Sequence, residues 1–128
     1  MLPSLPPTRF IVPGIAGTPT GGNIYNARIL DHWPESGSAA RPETVTWPVD
    51  RPPADPIARI PPKAVIVIDS LCLQHAKTVQ ELRDQRPDAR LVVLAHYLAC
   101  VDPRKTESDA AAERTLFPLF DGAITTSA

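Results

Sequence analysis

A chain of 128 residues, 43% of them hydrophobic, is long enough for one cored domain and too short for two of ordinary size. Its 13 basic and 14 acidic residues are spread along the chain without a run of Lys or Arg, so nucleic acid is not an expected partner. The N-terminus lacks the basic and apolar regions of a secretory leader, and no window approaches the roughly 20 apolar residues of a membrane span. We therefore expect a cytoplasmic protein without a transmembrane segment.

The 16 prolines mark where the chain is irregular. They cluster at residues 3–7 and 42–62, which indicates an N-terminal arm over residues 1–8 and one long surface crossover over residues 42–62. The rest of the chain has the composition of a single domain, so we predict one Rossmann-like unit spanning residues 1–128.

Predicted elements of the first half begin with a short apolar run, RFIVP at residues 9–13, which is typical of a buried strand. A glycine-rich loop, GIAGTPTGG, follows at residues 14–22. The segment NIYNARILDHW at residues 23–33 has apolar side chains at helical spacing and predicts a helix. The β-branched segment ETVTW at residues 43–47 predicts a second strand, nearer the edge of the sheet than its neighbours.

The second half alternates clearly between strands and helices. AVIVI at residues 64–68 and LVVLA at 91–95 are continuous apolar runs, as expected when helices cover both faces of a parallel strand. A last strand is predicted at 122–127. Helices are predicted at 106–117 and between the two apolar runs, the latter with one face formed by Cys72, Ala76, Val79 and Leu82. This order predicts an α/β fold, a Rossmann-like doubly wound parallel sheet.

Ligands of such sheets bind outside the carboxyl ends of the strands. That rule selects four places in this sequence, which are the loop 14–22, Asp69-Ser70, His96-Tyr97 and Ser127.

The glycine-rich loop allows the backbone to approach a ligand closely, and a phosphate is one candidate. It is not the dinucleotide fingerprint, because Ala16 stands where that pattern needs glycine. It is not a Walker loop either, because Asn23 stands where the phosphate-binding lysine belongs. The alternative is a long turn whose glycines only satisfy backbone geometry.

His96 directly follows a predicted buried strand, so it can hydrogen-bond a sugar hydroxyl or a phosphate, or transfer a proton near neutral pH. The alternative is a histidine at a strand end that bonds to the backbone. His32 and His75 fall on predicted helices and are expected at the surface. For Asp69 we favour a capping role over catalysis. The two cysteines are Cys72 and Cys100, and their spacing is not that of metal ligands. We expect both to be reduced and structural, and we predict no metal site.

Four segments taken in order, GGNIYNARIL, AVIVIDSL, ARLVVLAHY and AERTLFPLFDGAITTSA, resemble the N-terminal lobe of family 4 glycosyltransferases of the GT-B architecture. The resemblance covers almost the whole chain and is weakest over residues 42–62. It implies that Gly21 and Gly22 lie beside the donor diphosphate, that His96 reaches the reaction centre, and that Ser127 closes the last strand. The chain departs from the family after His96, where members often continue with a proline and then a glutamate and this chain reads Tyr97-Leu98-Ala99-Cys100-Val101.

The resemblance implies transfer of a sugar from a nucleotide-diphosphate sugar, with retained configuration and without a metal or other cofactor. In that scheme Gly21, Gly22 and Asn23 shape the diphosphate side of the cleft, while Tyr25 and His96 contact the reacting sugar or its acceptor. Most donor contacts in the family come from a second lobe, so we expect a C-terminal lobe protein or self-association as partner, and little turnover alone. One alternative is a noncatalytic binding or assembly module with the same fold, and another is a small NAD-type domain.

Overall fold

Five parallel strands form one sheet in the part of the chain that a computed structural model describes, which comprises residues 7–14, 28, 42–57, 59–95, 98 and 101–125. The strand order is β2-β1-β3-β4-β5, and each neighbouring pair is parallel. This confirms the predicted α/β, Rossmann-like fold class. The strands are β1 (Thr8–Gly14), β2 (Glu43–Pro48), β3 (Val65–Asp69), β4 (Arg90–Ala95) and β5 (Gly122–Thr125).

The central strands are buried on both faces, which explains their unbroken apolar sequences. Residues paired across parallel strands share a face, and Ile68 of β3 lies beside Val93 of β4 on the face that carries the main core. On the opposite face, Phe10, Val67 and Leu94 form a second buried cluster. Two-sided burial of this kind is usual for parallel sheets and is unusual for antiparallel ones.

Two α-helices and two short 3₁₀ helices connect the later strands. Helix α1 (Ala76–Gln85) packs Val79 and Leu82 into the main core, and helix α2 (Glu107–Arg114) precedes β5. The 3₁₀ helices span Ser70–Gln74 and Phe117–Leu119.

The two helices predicted in the second half of the chain are shorter than their sequence patterns indicated, and the helix predicted at 23–33 lies outside the described residues except for Arg28. The helix predicted through Cys72 and Leu82 is interrupted at His75, whose φ of −91° and ψ of 59° lie outside the helical region. The N–H of His75 donates to the Cys72 carbonyl at 3.1 Å and closes the 3₁₀ turn. The second helix ends at Arg114, because Pro118 has no N–H with which to continue it.

Both edges of the sheet lie within the described residues. β2 pairs with β1 alone in the sheet order, so the expectation that residues 43–47 form an edge strand is confirmed. β5 forms the other edge and is exposed along its whole length. The crossover predicted over 42–62 contains β2 in its first part; the described residues that follow, 49–57 and 59–64, form neither helix nor strand, yet Ile60 among them is buried in the core.

Arg86, which follows α1, ties together the two loops that enter β3 and β4. Its guanidinium donates to the backbone carbonyls of Ile60 at 2.5 Å and Pro61 at 2.6 Å, and to both carboxylate oxygens of Asp88. Asp88 in turn accepts a hydrogen bond of 2.7 Å from the backbone N–H of Lys63. The amino ends of two neighbouring strands are thus held by one planar, always charged group.

Arg83, in the last turn of α1, makes the corresponding connection to the loop that enters β5. It donates to the carbonyls of Ala89 at 2.6 Å and Leu119 at 3.3 Å, and to the carboxylate of Asp121 at 3.2 Å. Asp121 also accepts from the backbone N–H of Leu91 at 2.9 Å. The amino edge of β3, β4 and β5 is therefore fixed by two arginines and their two carboxylate partners.

These contacts lower the pKa of both carboxyl groups. For Asp88 the main cause is the hydrogen bond from Arg86, followed by that from the Lys63 backbone. For Asp121 the main favourable cause is the Leu91 backbone N–H, with Arg83 contributing further. Both groups are therefore stabilised in their charged form by the folded chain.

We expect Arg86→Ala to lower the free energy of unfolding by about 2 to 3 kcal/mol, because it leaves two loop carbonyls and a carboxylate without their donor. Arg86→Lys should recover only part of this, because a single ammonium cannot reproduce the fork. The measurement is urea denaturation of full-length variants. Arg51→Ala is the matched control, since Arg51 is 72% exposed and pairs with the exposed Asp50; its effect should stay within about 0.5 kcal/mol. If Arg86→Ala and Arg51→Ala lowered the free energy of unfolding equally, the conclusion that Arg86 holds the two loops together would be wrong.

The same contacts predict how stability depends on acid. The pKa values of Asp88 and Asp121 are lower in the folded chain than in the unfolded chain, where they are about 4. Their contribution is therefore complete above about pH 5 and is lost as the pH falls through the folded-state pKa values. In urea titrations at several pH values, the double variant Asp88→Asn and Asp121→Asn should be less stable than the wild type near neutrality. Its stability should also fall less steeply in acid; a parallel decline would show that other groups cause the acid sensitivity.

Candidate functional site

The carboxyl edge of the sheet is the place where the predicted site residues were expected to converge. Because all strands are parallel, Gly14, Asp69, Ala95 and Thr125 end β1, β3, β4 and β5 at this one edge. Neighbouring strands in a sheet are about 4.8 Å apart. The chain order reverses direction between β1 and β3, which makes this part of the edge the topological switch point where ligands of such sheets bind.

The residues to which the sequence assigned ligand contacts lie outside the described residues. They are Gly21, Gly22, Asn23, Tyr25, His96, Tyr97 and Ser127. The described residues that come before them in the chain are strand ends, namely Gly14 for the glycine loop, Ala95 for His96 and Thr125 for Ser127. Their assigned roles remain predictions.

Gly14 has a structural reason to be glycine. A Cβ atom at this position would lie 2.8 Å from Cγ2 of Thr46 on β2, closer than two carbon atoms approach without displacement. The absence of a side chain allows the end of β1 to pair with β2 as far as Pro48. For this first glycine of the loop, the backbone explanation is therefore sufficient.

Asp69 performs the capping role that the sequence suggested. Its carboxylate is buried and accepts a 2.9 Å hydrogen bond from the backbone N–H of Leu71, which starts the first 3₁₀ helix. A buried carboxylate at the switch point thus fixes the direction in which the chain leaves β3.

Cys72 is a structural thiol, as expected. It is buried in the main core, and burial raises the pKa of the thiol well above its usual range; the negative charge of Asp69 raises it further. The reactive thiolate is therefore strongly disfavoured. Cys100 lies outside the described residues.

The expectation that His75 lies on a helix body was wrong, and its side chain is half-buried. His75 occupies the N-cap position of α1, and its Nε2 lies 2.6 Å from the Pro48 carbonyl oxygen at the end of β2. The carbonyl can only accept, so Nε2 carries the proton. The ring also meets that of Trp47 edge-on, with centroids 6.4 Å apart. Sequence periodicity missed this contact because its partner is 27 residues away.

Trp47 fills the core beneath this contact. Its side chain is 1% exposed, and its Nε1 has no hydrogen-bond partner among the described residues. A buried donor without a partner reduces stability. The indole therefore contributes through the apolar area that it buries and through its ring contact with His75.

A cleft of about 240 Å³ opens between the first 3₁₀ helix and α2, beside the carboxyl end of β3. The sequence pointed to Ser70 as a candidate site residue because it follows β3. It did not point to the other polar residues that line the cleft, because most of them come from a segment distant in the chain. A partial signal was the spacing of Asp109 and Glu113, four apart on one helix face. The polar lining comprises Ser70, Gln74, Lys105, Asp109 and Glu113.

The N-terminus of α2, which borders this cleft, is already capped by its own residues. Thr106 Oγ1 accepts from the Asp109 N–H at 3.1 Å, and the Asp109 carboxylate accepts from the Thr106 N–H at 3.3 Å. Glu107 adds a second acid to the first turn. The capping box occupies the N–H groups of Thr106 and Asp109, and the two acids lie at the positive end of the helix dipole, where they disfavour an anion.

A second, apolar cavity of about 360 Å³ lies at the β5 side of the same edge, lined by Ala95, Leu98, Phe117, Phe120 and Thr125 among others. Ile124 on the adjoining strand is 43% exposed. The carboxyl edge therefore changes from a polar cleft beside β3 to an apolar surface at β5.

Within the described residues, no group of three or more His, Cys, Asp or Glu side chains is arranged to hold a metal ion. No helix in those ranges has the length and apolar character needed to cross a bilayer.

Comparison of the chain with known protein families, curated proteins and solved structures found no match. The resemblance to glycosyltransferases therefore stays a prediction from the sequence motifs.

We expect the Cys72 thiol to resist alkylation in the folded protein, because its burial and raised pKa suppress the thiolate. The measurement uses a Cys100→Ser background, so that labelling by iodoacetamide at about pH 8 reports on Cys72 alone. Labelling should rise with urea in parallel with unfolding. A rate in native buffer close to that of a small free thiol would contradict the structural assignment.

Proposed function

We propose that this chain is the acceptor-side lobe of a glycosyltransferase that transfers a sugar from a nucleotide-diphosphate sugar with retention of configuration. The observation that supports the proposal is the position of two strand ends. Gly14, which leads into the glycine-rich loop, and Ala95, which precedes His96, end strands at the same edge with only β3 between them.

The separation of these strand ends suits one extended ligand. Two sheet spacings place the ends of β1 and β4 about 10 Å apart. A nucleotide-diphosphate sugar bound along this edge is long enough to meet both following segments. The fold alone does not specify this activity, since Rossmann-like sheets support many reactions; the sequence motifs supply that part of the argument.

Within the proposed reaction, the chain contributes binding and orientation. Backbone N–H groups around Gly21, Gly22 and Asn23 would bind the diphosphate as it departs with its added negative charge. Tyr25 and His96 would hydrogen-bond the transferred sugar or the acceptor hydroxyl, and Ser127 would close the edge beside the last strand. No metal or other cofactor is required in this scheme.

A second lobe is an essential part of the proposal. It would supply most contacts to the nucleotide and the donor sugar, so the isolated chain would bind weakly and turn over little. The exposed β5 and the apolar cavity beside it offer a surface that such a partner, or another copy of the chain, would cover.

The decisive experiment supplies the chain with the C-terminal lobe of a retaining GT-B glycosyltransferase and assays transfer from a panel of nucleotide-diphosphate sugars. We expect transfer only in the mixture, and a product with the anomeric configuration of the donor. His96→Ala should lower kcat by about 100-fold or more without lowering the midpoint of urea unfolding, as expected of a residue at the reaction centre. His32→Ala is the matched control and should keep the activity of the wild type.

A second measurement tests the location without needing a compatible lobe. Amide signals of the full chain are followed by NMR during titration with the same nucleotide-diphosphate sugars. Shifts should concentrate at the carboxyl edge, around Gly14, Ala95 and Thr125, and spare Ala89 at the amino edge. The proposal would be excluded by shifts centred on the amino edge, or by the absence of amide shifts with every nucleotide-diphosphate sugar in the panel. A failed transfer together with a stable complex with an unrelated protein would favour the noncatalytic assembly module.

A further inference from the structure

The polar cleft between the first 3₁₀ helix and α2 has the features of a binding site in its own right. Two of its polar side chains are almost fully buried, with exposures of 3% for Ser70 and 7% for Glu113. Burying a hydroxyl and a carboxylate is costly unless hydrogen bonds compensate for the lost water. Each carboxylate oxygen has more than one acceptor position, so Glu113 can keep a protein partner and still accept from a ligand.

The charges around the cleft select against anions. Its lining carries one ammonium group, on Lys105, and two carboxylates, on Asp109 and Glu113. The adjacent N-terminus of α2 carries its own capping box and the further acid Glu107, which forms an ion pair with Arg114. A phosphate or diphosphate would therefore meet the net negative charge of the lining, beside a helix end whose dipole already faces two acids.

The size of the cleft also limits what it can hold. Pockets for drug-sized ligands usually measure about 300 Å³ or more, whereas this cleft measures about 240 Å³. It suits a molecule about the size of one six-membered ring with its substituents.

The hydrogen-bonding groups match a ring that carries several hydroxyls. Carboxylates only accept, the ammonium group only donates, and the Gln74 amide and Ser70 hydroxyl do both. Neighbouring hydroxyls on a ring offer donors and acceptors in the same mixture. Leu71 and Ala112 add apolar surface against which the C–H groups of such a ring can lie.

We propose that this cleft binds a neutral polyhydroxylated ring, a monosaccharide unit or a cyclitol. In the proposed transferase this ring would be the acceptor, and that assignment alone rests on the proposed function. The donor diphosphate and the acceptor would then occupy chemically different parts of one sheet edge.

The test measures binding to the full chain with no sugar nucleotide present. Amide shifts are recorded by NMR for the neutral probes methyl α-D-mannopyranoside, methyl α-D-glucopyranoside and myo-inositol, each up to about 50 mM because ligands of this size bind weakly. Glucosamine and glucose 6-phosphate serve as the cationic and anionic probes. At least one neutral probe should shift residues of both Ser70–Gln74 and Glu107–Arg114, and glucose 6-phosphate should bind more weakly than that probe.

Two variants test the named side chains. Glu113→Gln and Gln74→Ala should each weaken binding of the neutral probe by about fivefold or more, as expected for the loss of one or more hydrogen bonds. Gln74 is exposed, so its variant remains informative even if replacing the buried Glu113 disturbs folding. The matched controls on the exposed side of α1 are Glu81→Gln and Gln85→Ala, and both should bind as the wild type does.

The outcomes separate this inference from the transferase proposal. Binding of a neutral ring in the cleft, without transfer in the two-lobe assay and without amide shifts for any nucleotide-diphosphate sugar, supports the cleft and excludes the transferase. Transfer without any neutral ring shifting the cleft overturns the cleft assignment. It is also overturned if glucose 6-phosphate or glucosamine binds there more tightly than every neutral probe, or if the cleft and control variants bind alike.

Discussion

The two arginines at the end of α1 are the constraint on which the arrangement of the sheet depends. Parallel strands enter the sheet from loops whose carbonyl groups are not all paired within the ladder, and such groups are costly when partly buried without donors. Arg83 and Arg86 supply those donors to the loops before β3, β4 and β5. Because Asp88 and Asp121 bind the same arginines and the neighbouring backbone, the strands are held in register at one end.

This arrangement leaves the opposite edge free to carry other chemistry. Among the described residues of the carboxyl edge, the Asp69 cap acts within the segment that leaves β3, and the hydrogen bond of His75 links the start of α1 to the end of β2. Each of these contacts fixes how a chain segment leaves the sheet. A fold that is stabilised at its amino edge tolerates variation in the segments that begin at Gly14, Asp69 and Ala95, as α/β folds commonly do.

Sequence reasoning succeeded where the determining interactions are local or depend on simple burial. The runs at 64–68 and 91–95 predicted buried parallel strands, and the weaker alternation at 43–47 predicted an edge, because apolar pattern reflects how many faces of a strand are covered. It failed at His75, where a contact 27 residues away accompanies the break in an otherwise regular helical pattern. The contacts of Arg83 and Arg86 and the polar cleft were missed for the same reason, since each combines groups that only the fold brings together.

In the proposed transferase, the polar cleft and the glycine-rich loop would bind ligands of different charge, which affects how two substrates are placed along one sheet edge. A diphosphate needs backbone N–H groups and positive charge, whereas the cleft combines two carboxylates with a helix terminus that is already capped. If the loop that follows Gly14 binds a diphosphate, a donor placed in the wrong orientation would put its charge against Asp109 and Glu113. Repulsion there would favour the orientation in which a neutral acceptor fills the cleft, so the same acids that exclude the donor would help to order the two substrates.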